Sequence, residues 1–272
     1  AGFLGGDEVK ARYDGMTGHL LIDDASLEGD RARAHMTGKG QLDFDSENTL
    51  QLATLDLNAD RFTVNMPGVV KQALTLGRIT MHTVYTPAQQ KIDIQKLNIS
   101  GGPMSADLSA AVTLAGQKSP AVTASGKIAT MNVRDFLHYW PLHVGEGARE
   151  WIDENITAGR IGPVDLHADI KAGDLDLPAL PEPDLNLTVP LNAATVTYIH
   201  GMSPLNNVSG VATLTGDTFK AVIASANVGP VKMSDGSVVI TPWHVHGPLG
   251  AIDARIAGSG TDILTLLDQK PL

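Results

Sequence analysis

The residues able to act as ligands or catalysts stand in short alternating pairs. His244 and His246 flank Val245. On a strand both imidazoles point to one side, and two imidazoles on one face can bind a metal. No third ligand is evident nearby, and Trp243 and Val245 take the other face. The pair therefore reads as the wet side of a strand, and no metal is expected. Asp43-Phe-Asp45, Asp174-Leu-Asp176 and Asp165-Leu-His167 place polar groups on one strand face in the same way. Paired carboxylates can do acid–base work on glycosides, but a half-exposed strand produces the same spacing with no function. Gly5-Gly6 and Gly101-Gly102 lack phosphate-loop spacing and a following helix, so they read as turns. There is no Ser-centred nucleophile elbow. The absence of Cys excludes disulfides and thiolate sites and leaves the compartment open. The reading is of a protein that is not an enzyme and takes no cofactor.

The elements that carry these pairs follow from composition. The 272 residues hold 20 Lys and Arg against 30 Asp and Glu, a net charge of −10, with no basic cluster, so no nucleic-acid partner is expected. No run approaches the roughly 20 apolar residues of a membrane helix, and no signal-peptide pattern opens the chain. The abrupt start and the Pro271-Leu272 end suggest a segment of something longer. Apolar residues are 43 % of the chain, which argues against disorder, but aromatics are only 4 %. Aliphatic residues mixed with Thr and 28 Gly favour many short strands with frequent turns.

Four stretches share one spacing. Leu20, Ile22, Ala25 and Leu27 lead to Gly29; Leu50, Leu52, Leu55 and Leu57 to Ala59; Ile92, Ile94, Leu97 and Ile99 to Gly101; Val238, Ile240, Trp243 and Val245 to Gly247. The extra residue in the middle should flip the face, so a bulge is expected there to keep all four apolar residues on one side. After the small residue come Ala32, Ala34 and Met36; Phe62, Val64 and Met66; Met104, Ala106 and Leu108; Gly250, Ile252 and Ala254. A partial copy has Phe219, Ala221 and Ile223 after Gly216. Each unit reads as a strand, a tight turn and a second strand with the same face buried. Repeated hairpins imply an extended stack.

One region breaks the β pattern. Asn132 is an N-cap candidate, with Asp135 three residues on and Pro141 as the stop of a first helix. Gly145 to Gly159 reads as a second helix, with Ala148, Trp151, Ile152 and Ile156 on one stripe and Gly159 as its C-terminal stop. Phe136, Trp140 and Trp151 are expected to clamp these helices on the sheet, with a lid or cap over a groove as the functional alternative. Asp174 to Pro183 is a Pro-rich loop, and Thr261 to Leu267 a short closing helix. The fold class is thus mostly β: an elongated, curled antiparallel sheet of repeated hairpins with a two-helix insert around 132–158. The expected segments are 1–131, the insert 132–160, and 161–272 continuing the same sheet.

Phe136-Leu-His-Tyr-Trp-Pro141 and Ala148-Arg-Glu-Trp-Ile-Asp-Glu-Asn-Ile156, with Gly159 and Arg160, resemble the helical insert of the AsmA-like proteins of the YhdP type. Ala194-Thr-Val-Thr-Tyr198, Met202-Ser-Pro-Leu205, Val208-Ser-Gly210 and Leu214-Thr-Gly216 are similar to the stretch that follows in that family. The resemblance covers about residues 130 to 250. It implies a periplasmic part of an inner-membrane-anchored envelope protein of a diderm bacterium, whose curled sheet carries phospholipids between inner and outer membrane. Contacts with both membranes would be made by parts outside this segment.

The residue pattern suits that role. A lipid groove needs an aliphatic lining, and each methylene taken from water is worth about 0.8 kcal/mol. The lining residues expected to meet acyl chains are Leu20, Ile22, Leu50, Leu52, Leu55, Leu57, Ile92, Ile94, Leu97, Ile99, Val238 and Ile240. Asp23, Asp24, Asp43, Asp45, Asp93 and Lys96 would stay solvated on the outer face. The same stripes could instead pack on each other as a sandwich core. Two other functions fit parts of the pattern: a scaffold holding outer-membrane proteins by strand addition, as in TamB-type proteins, and a carbohydrate-binding β protein, which would need an exposed aromatic platform.

Overall fold

The computed structural model describes residues 8–29, 32–140, 142, 146–199, 201–242 and 250–269. It is mostly β, with 62 % strand and few helices; its seventeen strands are antiparallel, and the sheet does not close into a barrel. Two compact units divide the chain: one runs to Ile128 and includes His167–Leu177, the other comprises Ala129–Leu166 and Pro178–Leu272.

In the first unit the strands are β1 (Glu8–Asp14), β2 (His19–Glu28), β3 (Ala32–Phe44), β4 (Leu50–Val64), β5 (Leu74–Thr75), β6 (Arg78–Thr86), β7 (Lys91–Ser100), β8 (Ala106–Ala115) and β9 (Lys118–Ile128). Each strand pairs with its neighbour in the chain, except that β4 pairs with both the short β5 and β6.

The expected bulge is present in two copies of the repeat. In β2 the register to β3 shifts between Ile22 and Ala25, and in β7 the register to β8 shifts between Ile94 and Leu97. The bulged residues are polar and engaged outside: Asp23 accepts from Arg12, and Asp24 lies 3.1 Å from His35. The second copy departs from this pattern. In β4 the register runs unbroken from Leu52 to Asn58, and the irregularity falls between Leu50 and Leu52 instead. Nor does the chain turn after Ala59. The strand continues to Val64, with Arg61 in the left-handed region (φ 56°) donating from its N–H to the Gly77 carbonyl. The reason is pairing demand: Ala32 and Arg33 of β3 take Val64 and Thr63 as partners, so β4 must extend. The Gly29 N–H donates to the Ala32 carbonyl where β2 gives way to β3, and Gly101 takes φ 73° in the turn after β7. The fourth copy's Trp243, Val245 and Gly247 lie outside the described residues, as do His244 and His246.

The second unit contains β10 (Met131–Asn132), α1 (Val133–Tyr139), α2 (Glu146–Asn155), β11 (Ile156–Ile161), β13 (Leu185–Val196), β14 (Leu205–Thr215), β15 (Phe219–Val228), β16 (Val231–Ile240), β17 (Gly250–Ala257) and α3 (Gly260–Leu267); β12 (Val164–Ile170) is divided between the units. Strands β13 to β17 form a meander, with β11 pairing β13. Asn132 starts α1, but its side chain donates to the Asp135 carboxylate (3.1 Å) rather than capping a backbone N–H. The second helix ends at Asn155, not at Gly159. Asn155 turns its amide back to the Trp151 carbonyl (2.8 Å), and Ile156 already pairs with Val196. Gly159 belongs to β11 at φ 126°, where a Cβ would lie 2.6 Å from the Cα of Ala194. The closing helix α3 begins one residue earlier than expected, capped by Ser259, whose hydroxyl accepts from the Asp262 N–H (3.1 Å).

Candidate functional site

In the first unit, register converts the alternating sequence into rows that cross the strands. One row runs Ile22, Gly38, Leu57, Met81, Leu97, Leu108, Gly126. The next runs Leu20, Gly40, Leu55, Thr83, Ile94, Ala110, Ala124, and a third Ala25, Met36, Ala59, Ile79, Ile99, Ala106, Ile128. Because paired residues share a face, these rows define one almost wholly apolar side. The other side is polar: Lys39, Asp56, His82 and Lys96 form a row of their own, with His82 Nδ1 2.7 Å from the Asp56 carboxylate. Both bulges are needed for this result. Without them Leu20 and Ile22 would oppose Ala25 and Leu27.

The apolar side is only partly buried. Ala25, Ala59, Ile99 and Ala106 are buried, whereas Leu20, Ile22, Leu50, Leu55, Leu57, Ile94 and Leu97 are half-buried and Ile92 is 45 % exposed. Among the described residues of this unit, extensive contacts join hydrogen-bonded neighbours, apart from two 3-10 turns. Among its described residues this unit has no α-helix. Leu52 is placed apart from its repeat mates: it pairs with Asp43 on the polar side, while Leu50 pairs with Phe44.

In the second unit the apolar side of the sheet is covered. Helices α1 and α2 lie over it and enclose an apolar cavity of about 260 Å³. The roof is Phe136 of α1 and Trp140 at its C-terminal end, with Trp151 and Ile152 of α2; the floor includes Leu187, Ala212, Phe219, Ala221, Val238 and Ile240 from four strands. Phe136 and Trp140 are buried and meet edge to face at 5.3 Å, and Trp151 tilts against Phe219 with centroids 6.1 Å apart. The structure therefore brings Phe136, Trp140, Trp151, Val238 and Ile240 to one cavity. Phe219, Leu187 and Ala212 were not legible as site residues; only the partial repeat at Phe219 pointed to that strand. Burial pushes the phenol of Tyr198, which lines the same cavity, above its ordinary value.

Of the paired carboxylates, Asp45, Asp174 and Asp176 serve the backbone, whereas Asp43 accepts from the Gln41 side-chain amide (3.0 Å); Asp174 and Asp176 stand in a 3-10 turn and not on a strand face. Asp45 accepts from the N–H groups of Glu47 and Thr49 (both 2.9 Å) and shapes the β3–β4 turn. Asp176 accepts from the Ser119 N–H (2.9 Å), and Asp174 from that of Lys171 (3.3 Å). Asp165 and His167 are exposed on β12. Among the described residues no group of three or more His, Asp or Glu could hold a metal, and no helix is long and apolar enough to cross a membrane.

Fold and site together define a class: an open antiparallel β-sheet protein with a one-sided apolar surface and a helix-roofed apolar cavity. Within that class, the sequence model of the family described as YhdP protein matches residues 22–272, and the chain belongs to that family. Membership sets it among bacterial envelope proteins tied to lipid transport. No curated protein and no solved structure matches the chain.

Proposed function

We propose that this chain is a periplasmic segment of an intermembrane phospholipid-transport protein and holds acyl chains against its apolar sheet face. The observation that supports the reading is the set of transverse apolar rows in the first unit, many of whose residues are only half-buried, with no α-helix among that unit's described residues. Aliphatic side chains held in this way can still gain from contact with hydrocarbon. About ten buried methylenes contribute on the order of 8 kcal/mol before entropy costs, the scale of a micromolar complex. The rows repeat nearly the same chemistry from strand to strand. A chain resting on one row meets a similar surface on the next, so no position binds so tightly as to stop movement. The groove residues are those of the rows: Leu20, Ile22, Leu55, Leu57, Ile94, Leu97 and Ile99. The segment is not an enzyme in this reading and needs no cofactor. Its links to the inner and outer membranes are made elsewhere in the assembly.

The test is native mass spectrometry of the purified chain, followed by solvent extraction and lipid identification. Phospholipid should co-purify and be lost in Ile94→Asp, with circular dichroism unchanged. A folded wild-type chain that neither co-purifies nor takes up phospholipid refutes the reading.

A further inference from the structure

The walls of the cavity under α1 and α2 select against polar ligands. Of the side chains that line it, only Tyr198 and the two indoles carry a polar atom, and none carries a charge. The backbone of the floor is engaged in the sheet, because β14 and β15 pair with each other and with β13 and β16 on their outer sides. Register also shapes the floor. Ala212 and Ala221 are partners across β14 and β15, and Leu214 and Phe219 are the next pair on the same face. Ile223 stands two residues from Ala221 on the other side. Two small side chains are thus flanked by larger ones, which makes a furrow running across the strands. An apolar cavity of about 150 Å³ takes one benzene, six carbons, so on that scale the space of about 260 Å³ takes about ten carbons.

We propose that this cavity takes the terminal stretch of one unbranched acyl chain, about ten carbons and no more, and so sets a length limit on what it holds. This rests on the lipid-holding reading above for the kind of chain and adds a second site with a capacity of its own. A peptide segment would bring amides for which the walls provide no partners. A second acyl chain would need twice the volume. A headgroup finds no charge among the lining residues to pair with and stays outside. Carbons beyond the capacity of the furrow stay outside with it and add nothing to binding. The repeating rows of the first unit offer a chain similar surface from strand to strand; the roofed furrow offers it an end.

The experiment titrates the whole chain by calorimetry with straight-chain alcohols from hexanol to dodecanol. Affinity should rise about fourfold per methylene up to decanol and then level, with dodecanol within about twofold of decanol. A rise that continues unbroken to dodecanol overturns the inference. Ala221→Leu adds three carbons to the floor and should move the break from about ten carbons to about seven. A break that stays in place in the folded variant also overturns it. Should Ala221→Leu not fold, fluorescence decides. Trp243→Phe leaves Trp140 and Trp151 as the only tryptophans of the chain. Their emission should be quenched by 10-bromodecanol well beyond the effect of 2-bromoethanol at the same concentration; equal quenching refutes the site. Phospholipid that co-purifies with a chain showing no break in the alcohol series leaves the lipid-holding reading standing and overturns this one. A chain that takes up neither phospholipid nor any alcohol overturns both.

Discussion

Gly38 of β3 and Leu57 of β4 are register partners, and a Cβ on Gly38 would lie 2.8 Å from the Leu57 Cδ2 and 2.7 Å from the Asp56 carbonyl oxygen. The glycine leaves the space in which the leucine lies flat along the apolar face. Gly40 does the same beside Leu55, with a Cβ 2.5 Å from the Thr54 carbonyl. Gly38→Ala should therefore destabilise the chain by about 2 kcal/mol, the usual cost of overpacking, although alanine is the better strand residue. The check is the urea midpoint of the variant at an unchanged slope.

The cavity of the second unit should behave as a hydrocarbon site that can be closed by volume alone. Ala212 and Ala221 are small residues in its floor, on β14 and β15. Ala212→Phe would place a ring in the space and should reduce binding of an apolar probe such as dioctanoylglycerol by about tenfold or more. The far-UV circular dichroism should stay that of wild type. Isothermal calorimetry reads the loss.

Phe136 ties the roof to itself through its edge-to-face contact with Trp140 and is buried beneath α1. Phe136→Ala removes that contact and enlarges a cavity that already exists. A cost of about 3 to 4 kcal/mol is expected. Thermal melting should show it as a lower midpoint. Trp151→Ala, at a half-buried position, should cost less.

The edge strand β1 is fastened to β2 by an exposed ion pair. Arg12 Nε and Nη2 donate to the two Asp23 carboxylate oxygens at 2.8 and 2.7 Å. This hydrogen bonding, more than the bare charge, holds the Asp23 carboxyl below its ordinary value. A lowered folded-state value means that the pair's contribution is present above the ordinary aspartate range and is lost as the pH falls through the lower, folded value. Carbon-detected NMR titration of the Asp23 carboxyl should give a midpoint below that of an ordinary aspartate. In Arg12→Ala the midpoint should move up; an unmoved midpoint would show that the arginine is not its cause.

The alternation of Leu20, Ile22, Ala25 and Leu27, and of Ile92, Ile94, Leu97 and Ile99, was enough to foresee a strand with a central bulge, because a two-three-two spacing admits one apolar face only if a residue is skipped. The same spacing misled at Leu50, Leu52, Leu55 and Leu57. There the register of β4 to β3 and β6 is continuous through Leu55 and Leu57, the irregularity falls between Leu50 and Leu52, and Leu52 goes to the polar side. The end of α2 misled for a related reason. Gly159 looked like a helix stop, but Val196 was available to pair Ile156, and strand pairing began earlier.

By itself, then, the sequence determined the β class, the one-sided alternation, the two helices and the family. Those are properties of short stretches, where the period of two or of 3.6 is set by backbone geometry within a few residues. The tertiary structure alone decided that the apolar side of the second unit is roofed by α1 and α2, while the described residues of the first unit supply no α-helix to its apolar side. It also decided that Phe136, Trp151, Leu187, Phe219 and Val238 meet around one cavity. These depend on register summed across several strands and on where a helix lands. A shift of one residue in a pairing would send Leu187, Phe219 or Val238 to the opposite face of the sheet, and no local pattern records the outcome.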